Sequence, residues 1–267
     1  MVTKIVELKK PKLSNPLFIE GLPGVGNVGR ITAGYLVEEL KAEKFAELFS
    51  SHFMPFVLLH QNSAVHVLKN EFYYWHAKNK GQRDLIILIG DTQSVNPEGH
   101  YEIVEQILDF AKKYGVKDMI TLAGLGVGEE REKPEVIGAV SEPDVAKKYK
   151  DCGVKFDAGA RVGTIAGASG LLIGLGKYRG IKGLCLLGET VGYPLIPDPK
   201  AAKIMLEVLA KILKIKIDTT KIQKKVNEMK EFIEKIEKVQ ERALAQMLKT
   251  GMPGKKEGGK EELSYIG

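Results

Sequence analysis

"GLPGVGNVGRITAGYLVEEL" (residues 21–40) follows a short apolar run and leads into a helical pattern. It contains Gly24, Gly26 and Gly29 in the spacing G-x-G-x-x-G, which phosphate-binding turns use between a strand and a helix. The apolar residues from Val28 onward recur on one side of a helix. The stretch therefore predicts a strand, a glycine-rich turn and a helix, the repeating unit of an α/β domain.

The same alternation of strands and helices continues to about residue 217. Strands are predicted at 16–21, 44–50, 56–60, 84–91, 118–128 and 182–190, with a hairpin over 64–77 joined by Lys69–Asn70 and a strand-like run at 155–159. Helices are predicted at 28–40, 98–114, 143–150, 167–180 and 198–215. Because strands such as 84–91 are apolar throughout, we expect residues 1–217 to form an α/β domain with a mostly parallel sheet flanked by helices.

The composition changes after Ile217. Over residues 219–248, apolar residues, or residues that a coiled-coil seam tolerates, recur at alternating spacings of four and three. This spacing is typical of a coiled-coil seam. Residues 218–249 are therefore predicted to form an amphipathic helix for self-association or partner binding, in which Phe232, Ile233 and Ile236 contribute to the apolar stripe. Residues 250–267 are rich in glycine and charge, which predicts a flexible tail.

Composition excludes several functional classes. The 267 residues carry a net charge of +6, but the basic residues are interleaved with acidic ones, which argues against a nucleic-acid patch. Cys152 and Cys185 lack C-x-x-C spacing, which is typical of a protein from a reducing compartment. The sequence contains neither a signal-peptide pattern nor an apolar run of membrane-spanning length. We therefore expect a cytoplasmic protein that does not bind nucleic acid or membranes.

The glycine motif has two interpretations. A dinucleotide site needs the first glycine directly at the strand end and an acidic residue at the end of the second strand. Here Leu22 and Pro23 intervene, and the second predicted strand closes on Ser50, Ser51 and His52. These departures favour a structural turn. The alternative is a nucleotide or nucleoside site formed by Gly24, Gly26 and Gly29 together with Gly124 and Gly126, which follow another buried strand.

Acidic residues at two further strand ends could support catalysis. Asp91 and Glu189 each follow a buried strand, where open α/β sheets place ligands, so they could line one crevice for general acid–base chemistry. The favoured alternative is that they cap strand ends and helix starts. His60, His66 and His76 lack metal-ligand spacing, and the two cysteines are expected to be small buried hydrophobes. No catalytic residue, metal site or cofactor is predicted.

Several segments together resemble a known family. "FIEGLPGVGNVGRITAGYLVEEL", "ILIGDTQS", "TLAGLGVGE", "GTIAGASGLLIGLG" and "LLGETVGYP" resemble, in this order, the archaeal branch of the proteasome assembly chaperone family. The resemblance spans roughly residues 15–215, and the C-terminal helix and tail are also similar to those of archaeal members. It implies a nucleoside phosphorylase-like α/β fold on which the glycine turn is architectural. Kinship of fold with enzymes is no evidence of catalysis.

The resemblance also implies a partner. It points to a non-enzymatic protein that forms homo-oligomers and binds α subunits of the proteasome core particle. Tails in the family end in a hydrophobic residue, tyrosine and any residue, whereas this chain ends in Ser264, Tyr265, Ile266 and Gly267, with tyrosine third from the end. Leu263, Tyr265, Ile266 and Gly267 are accordingly the tail residues expected to contact the partner. The alternative function is a nucleotide- or nucleoside-binding enzyme that uses the glycine-rich loops.

Overall fold

The computed structural model describes residues 3–59, 63–192 and 197–222, and the single positions 224, 227, 238 and 242. In these residues the chain forms a nine-stranded sheet, helices on both of its faces, and a separate two-stranded ribbon. The strands are β1 (Thr3–Glu7), β2 (Leu17–Gly21), β3 (Glu43–Ser50), β4 (Val57–Leu59), β5 (Val65–Val67), β6 (Asn70–Trp75), β7 (Leu85–Gly90), β8 (Asp118–Gly126), β9 (Val136–Val140), β10 (Val154–Lys155) and β11 (Lys182–Thr190). The helices are α1 (Val28–Leu40), α2 (Pro97–Lys113), α3 (Pro143–Tyr149), α4 (Ala158–Arg161), α5 (Gly167–Tyr178) and α6 (Pro199–Leu213).

Four central strands run parallel, in the order β7-β2-β8-β11. Their side chains alternate between two helical layers, as the twofold period of a strand requires. In β2, Leu17 and Ile19 pack with α1 and α6, whereas Phe18 packs with α2 and α5. All four strands end on the same side of the sheet, which we name the carboxyl edge.

The predicted mostly parallel sheet is wrong, because the sheet is mixed. The strand β3 pairs antiparallel with β1 and with β6, and β6 pairs antiparallel with β7. On the other side of the sheet, β9 pairs antiparallel with β11. Between β6 and β7 the chain has only residues 76–84, with no crossover helix. Such a short connection permits antiparallel pairing, whereas parallel neighbours need a longer crossover. The broader prediction of an α/β fold with a helix-flanked sheet is confirmed.

The principal helices lie close to their predicted positions, and α1 has its predicted bounds. Two of them begin at a side-chain cap. The Asn96 side chain accepts a hydrogen bond from Gly99 N at 2.7 Å before α2, and Asp198 accepts one from Ala201 N at 2.9 Å before α6. Each cap is followed by a proline at the first helical position. Proline has no backbone N–H, and at this position a helix has no acceptor for one.

The predicted hairpin over 64–77 is wrong. The strand β5 pairs with β4 in the ribbon, whereas β6 pairs with β3 and β7 in the large sheet. A tight two-residue hairpin turn of the usual type requires positive φ, and neither Lys69 nor Asn70 has it. The chain instead crosses from the ribbon to the sheet there. The strand-like run at 155–159 is also shorter than predicted, since β10 ends at Lys155 and Ala158 begins α4.

Candidate functional site

The glycine-rich turn lies at the carboxyl edge, between β2 and α1. After Gly24 the chain forms one turn of 3₁₀ helix, Val25–Asn27, in which Gly26 has a φ of +60°. An L-residue disfavours this backbone conformation. A Cβ added at Gly26 would also lie 2.8 Å from the hydroxyl oxygen of Thr190, at the end of β11. The turn therefore packs against the end of β11.

The other glycines allow backbone to approach backbone. A Cβ on Gly29 would collide with the carbonyl oxygen of Leu122, and one on Gly124 would collide with the carbonyl oxygen of Val25. A Cβ on Gly126 would lie 3.2 Å from the Cα atom of Gly192. The turn, the start of α1 and the end of β8 consequently form one closely packed unit. Gly24 has more room, because a Cβ there would meet only the Gln93 side chain at 3.9 Å.

Polar contacts also hold this turn to the body. The Gln93 amide donates to the carbonyl oxygen of Pro23 at 2.6 Å, and its own oxygen accepts from Ala168 N at the start of α5. The carbonyl oxygen of Gly26 accepts from the backbone N–H of Asp198 at 2.9 Å. These bonds link the turn to both helical layers. Gln93 was not among the residues predicted from the sequence.

The strand order differs from that of a dinucleotide-binding fold. In that fold the second strand lies beside the first and ends in the acidic residue that holds the ribose. Here β2 lies between β7 and β8, and β3 is separated from it by β6 and β7. The end of β3 therefore cannot contribute a ribose ligand beside the Gly24–Gly29 turn.

Asp91 lies just beyond β7 and is 9% exposed. Its Oδ2 atom is 2.6 Å from His66 Nε2 on the ribbon and accepts from Lys69 N at 3.2 Å. Its Oδ1 atom is 3.6 Å from an Arg30 nitrogen on α1, and Arg30 also donates to the carbonyl oxygen of Gly90. Asp91 thus joins the ribbon, the sheet and α1.

Glu189 lies at the other end of the carboxyl edge and is 2% exposed. Its Oε2 atom accepts from Glu135 N at 2.9 Å, and its Oε1 atom is 3.5 Å from nitrogens of both Arg131 and Arg161. A cleft of about 250 Å³ opens beside it, between the ends of β8 and β11 and the start of α6. Lys200 and Asp198 also line this cleft, which therefore carries both signs of charge.

The structure does not bring Asp91 and Glu189 together. Two strands, β2 and β8, separate β7 from β11, so the backbone positions that carry the two carboxylates stand three strand spacings apart, about 14 Å. The glycine-rich turn covers the end of β8 between them. A single crevice lined by both residues, one of the possibilities raised by the sequence, is therefore wrong.

Glu20 is a buried ionisable residue that was not predicted from the sequence. It lies in β2 with no exposed surface, and its carboxylate accepts hydrogen bonds from Leu22 N and the Ser169 hydroxyl, both at 2.9 Å. Burial raises the pKa of Glu20 to about 7, although these hydrogen bonds favour the charged form. A carboxyl group with this pKa can exchange a proton near neutral pH, but it is sealed inside the core.

The remaining histidines and cysteines show no shared site. His76 contacts Asp84 at 3.4 Å at the opposite edge of the sheet from His66, and His60 lies outside the described residues. Burial raises the pKa of the Cys185 thiol to about 12 and also raises that of Cys152, which disfavours the reactive thiolate. Within the described ranges, no three histidine, cysteine or acidic side chains are grouped to hold a metal ion.

The predicted partner-binding residues lie outside the described residues: Phe232, Ile233, Ile236, Leu263, Tyr265, Ile266 and Gly267. The structure does describe the base of this segment. Ile222 is buried in the hydrophobic cluster beneath α1 and α6, and the Tyr35 hydroxyl donates to the carbonyl oxygen of Asp218. The segment therefore leaves the body beside α1. Of the helices that the structure describes, none has the length and apolarity needed to cross a membrane.

Comparisons with known proteins place the chain among relatives of similar length. It is 44% identical to PbaB of Pyrococcus furiosus, described as an archaeal proteasome activator, over 88% of this chain and 99% of PbaB, with a TM-score of 0.79. It is 31% identical to PbaA of the same organism, described as an archaeal homolog of proteasome-assembly chaperone, over 89% and 99% of the two chains, with a TM-score of 0.71. An uncharacterized protein of Methanocaldococcus jannaschii is 39% identical over 100% of this chain and 98% of its own.

The family follows from the extent of these matches. The model of the PAC2 family matches residues 18–237, which include the glycine-rich turn, all four central strands and the base of the C-terminal segment. The chain therefore belongs to the PAC2 family, the family that the sequence motifs predicted.

Proposed function

We propose that the protein is a non-enzymatic assembly chaperone or activator of the proteasome, which self-associates and binds proteasome α subunits. The observation that carries this proposal is the similarity to PbaB, which extends over 99% of that protein at 44% identity. The similarity to PbaA, over 99% of its chain, supports the same class of function.

The geometry of the carboxyl edge supports a role other than catalysis. Asp91 is engaged by His66 and Arg30, and Glu189 by Glu135 N, Arg131 and Arg161. A general base must reach a proton of the substrate, and the strands that carry these two carboxylates are separated by β2 and β8. The glycine turn between them is packed against β8 and β11. We infer that the residues of this edge stabilise the fold and do not form an active site.

We further propose that residues 219–267 form the arm that contacts α subunits. The apolar stripe that includes Phe232, Ile233 and Ile236 suits a groove or a neighbouring helix. The tail after Lys249 can carry Tyr265 some distance from the body, and tyrosine buries a large ring while keeping a polar hydroxyl. Several arms on one oligomer would gain avidity on a ring of α subunits, by roughly 10²–10⁴ where the spacing fits.

Binding to purified α subunits tests the proposal. The intact chain, a chain ending at Lys249 and a chain ending at Ile222 should be compared by surface plasmon resonance. The last of these keeps Ile222, which packs in the core of the body. Loss of the tail should weaken binding, and loss of the helix as well should nearly eliminate it.

A point substitution separates the tail anchor from tail length. Tyr265→Ala should weaken binding to α subunits as much as removal of the whole tail, whereas the adjacent Ser264→Ala serves as the matched control and should bind normally. Equal binding by all three chain lengths would place the contact on the α/β body and refute the arm. Absence of binding by the intact chain would refute the proposed function itself.

A further inference from the structure

The connections at one edge of the sheet are strongly basic. The four parallel strands begin opposite the carboxyl edge, at what we name the amino edge, where β3 also begins and α1, α2, α5 and α6 end. The connections at this edge contain eleven lysine and arginine residues and two acidic residues. They are residues 8–16, 41–42, 76–84, 114–117, 141–142, 179–181 and 214–217. Their net charge is therefore +9, more than the +6 of the whole chain.

The carboxyl edge has the opposite sign. Among the described residues, the stretches at this edge, with the ribbon and α4 included, hold seven acidic and four basic residues. They are 22–27, 51–59, 63–69, 91–96, 127–135, 156–166, 191–192 and 197–198. A helix between two parallel strands carries the chain from one edge to the other, so charges that are interleaved along the sequence become separated in space. The fold thus gathers positive charge at the amino edge.

Most of the cations at the amino edge are unpaired. Lys9 pairs with Glu43 at 2.8 Å, Arg83 pairs with Asp118 at 2.6 Å, and Arg179 pairs with two acidic residues of α2. The other eight are exposed lysines that form no ion pair within the part of the chain that the structure describes. They are Lys10, Lys12, Lys41, Lys78, Lys80, Lys117, Lys214 and Lys216.

Helix dipoles offset only part of this charge. The four helices that end at the amino edge place about −0.5 charge each there, or about −2 in total. The net charge of +9 is several times larger. Four of the unpaired lysines, Lys10, Lys12, Lys78 and Lys80, also lie in connections between two strands. The surplus of positive charge is therefore available to a negatively charged partner.

Hydrogen bonds hold the lysine-bearing connections together. The Gln82 side chain accepts from Lys78 N at 3.2 Å and donates to the carbonyl oxygen of Lys214 at 2.9 Å. Asp84 accepts from Ser14 N at 2.8 Å, which joins the connection before β2 to the connection before β7. The backbone that carries these lysines is thus positioned before any partner binds. We name the surface formed by Lys10, Lys12, Lys78, Lys80, Lys214 and Lys216 the basic edge.

We propose that the basic edge contacts an acidic surface of the protein that the arm, residues 219–267, binds. This inference rests on the proposed function. Lys216 stands three residues before the arm, and the base of the arm is fixed beside α1 by the bond from the Tyr35 hydroxyl to the carbonyl oxygen of Asp218. A partner held by the arm is tethered to the body, which raises their effective concentration. Exposed ion pairs that are weak between free molecules can then form.

The chemistry of the basic edge favours a protein over a nucleic acid. Arg83 and Arg179, the arginines of these connections, are both held in ion pairs, so neither is free to bind phosphate in a bidentate manner. The unpaired residues are lysines, which attract carboxylates and phosphates alike as point charges. The arm, as proposed, brings a protein to this surface. Binding of nucleic acid is accordingly an outcome of the test.

Charge reversal in the full-length chain tests the contact. Lys78→Glu together with Lys80→Glu reverses two charges of the basic edge. The matched control, Lys133→Glu with Lys203→Glu, makes the same change in net charge at exposed lysines of the carboxyl edge and of α6. Binding to purified α subunits is measured by surface plasmon resonance from about 0.05 M to about 0.5 M NaCl.

The two double variants should differ most at low salt. There we expect reversal at the basic edge to raise the dissociation constant about tenfold and the control to change it by less than about twofold. The difference should disappear at high salt, where exposed charges are screened. Lys10→Glu with Lys12→Glu repeats the test on a second connection and should also weaken binding.

Each outcome decides for or against the contact. Binding that the reversal weakens and that salt makes insensitive to the reversal supports it. Equal weakening by both double variants would show a response to net charge alone and overturn the inference, as would binding that neither salt nor reversal changes. In these last two cases α subunits still bind, so the proposed function stands. Absence of binding by the intact chain refutes the proposed function, and this inference falls with it.

A short DNA duplex serves as the second ligand. We expect the intact chain to bind it no more tightly than the Lys78→Glu, Lys80→Glu variant does at about 0.15 M NaCl. Duplex binding that this variant abolishes, with binding to α subunits unchanged, would assign the basic edge to nucleic acid and overturn the inference.

Discussion

The carboxylate of Glu20 accepts a hydrogen bond of 2.9 Å from the hydroxyl group of Ser169, and both side chains lie in the core. The bond joins β2 to α5 directly beneath the glycine-rich turn. The carboxylate also accepts from the N–H of Leu22, and a backbone hydrogen bond from Leu122 favours its charged form as well. Burial stabilises the protonated form of this carboxyl group, whereas the donors favour its charged form.

Glu20 should therefore make stability depend on pH. Its folded-state pKa of about 7 is raised above the ordinary 4.5. The free energy of unfolding that Glu20 contributes is therefore fully present below about pH 4.5 and is lost as pH rises through 7. The loss amounts to about 3 kcal/mol. Glu20→Gln should remove this dependence, and above pH 8 the variant should be more stable than the intact chain in urea titrations.

The exposed Glu39→Gln removes the same charge without changing the core, and it should reproduce the pH profile of the intact chain. Ser169→Ala gives a test in the opposite direction. It deletes a hydrogen bond that favours the charged form, so the loss of stability should extend to higher pH. Identical profiles for the intact chain and Glu20→Gln would contradict the titration of Glu20.

The glycine turn should be sensitive to substitution for reasons of packing. Gly26→Ala places a side chain at positive φ, at a cost of about 1–2 kcal/mol, and presses it against Thr190. Gly174→Ala is the matched control, because it lies inside α5 and its Cβ would meet no atom within 4 Å. That control should raise stability by up to about 1 kcal/mol, as alanine favours helices.

The same variants test the nucleotide alternative. Thermal-shift measurements with NAD, ATP and nucleosides should show no stabilisation of the intact chain at micromolar ligand. Micromolar binding that Gly26→Ala abolishes and Gly174→Ala retains would show that the turn is a ligand site.

Asp91 should hold the ribbon in place. Asp91→Ala removes the acceptor for His66 and for Lys69 N and leaves Arg30 facing an empty position, with an expected loss of about 1–3 kcal/mol. Hydrogen exchange should speed up across Val65–Val67. Asp84 is equally buried at the other end of β7, where it accepts from Ser14 N and Ala77 N. Asp84→Ala should speed exchange near those residues and spare the ribbon.

The base of the C-terminal segment should contribute to stability. Ile222 is 4% exposed in the cluster under α1 and α6, so Ile222→Ala should lower the free energy of unfolding by about 2 kcal/mol. The neighbouring Lys221 is exposed, and Lys221→Ala should change the free energy of unfolding little. Equal stability of the two variants would mean that the segment is not anchored in solution.

The sequence predicts those elements whose signals are local. The bounds of α1 follow from a glycine turn before it and regular apolar spacing within it, and α6 starts at Asp198 followed by Pro199, a local signal for the start of a helix. The strands β1 and β9 were not predicted. β1 is a short edge strand with charged residues at Lys4 and Glu7, and a glycine interrupts the apolar run of β9.

The misjudged features depend on strand order. Whether β5 pairs with β4 or β6, and whether Asp91 lies near Glu189, is set by contacts between distant segments. Glu20 was missed because a single acidic residue at the end of an apolar strand is usually solvated, and only the position of α5 over β2 buries it. The glycine motif was identified from its spacing, but its contacts with Thr190 and Leu122 required the fold.

The position of β11 has a consequence for synthesis of the chain. This strand is inserted between β8 and β9, and its register runs from Lys182 beside Asp118 to Thr190 beside Gly126. Until the ribosome has released residues 182–190, β8 and β9 each have an unpaired edge in the middle of the sheet, a situation that invites aggregation. Since pairing over such sequence distances is slow, we expect the nascent chain to complete its core only after nearly three quarters of it has emerged.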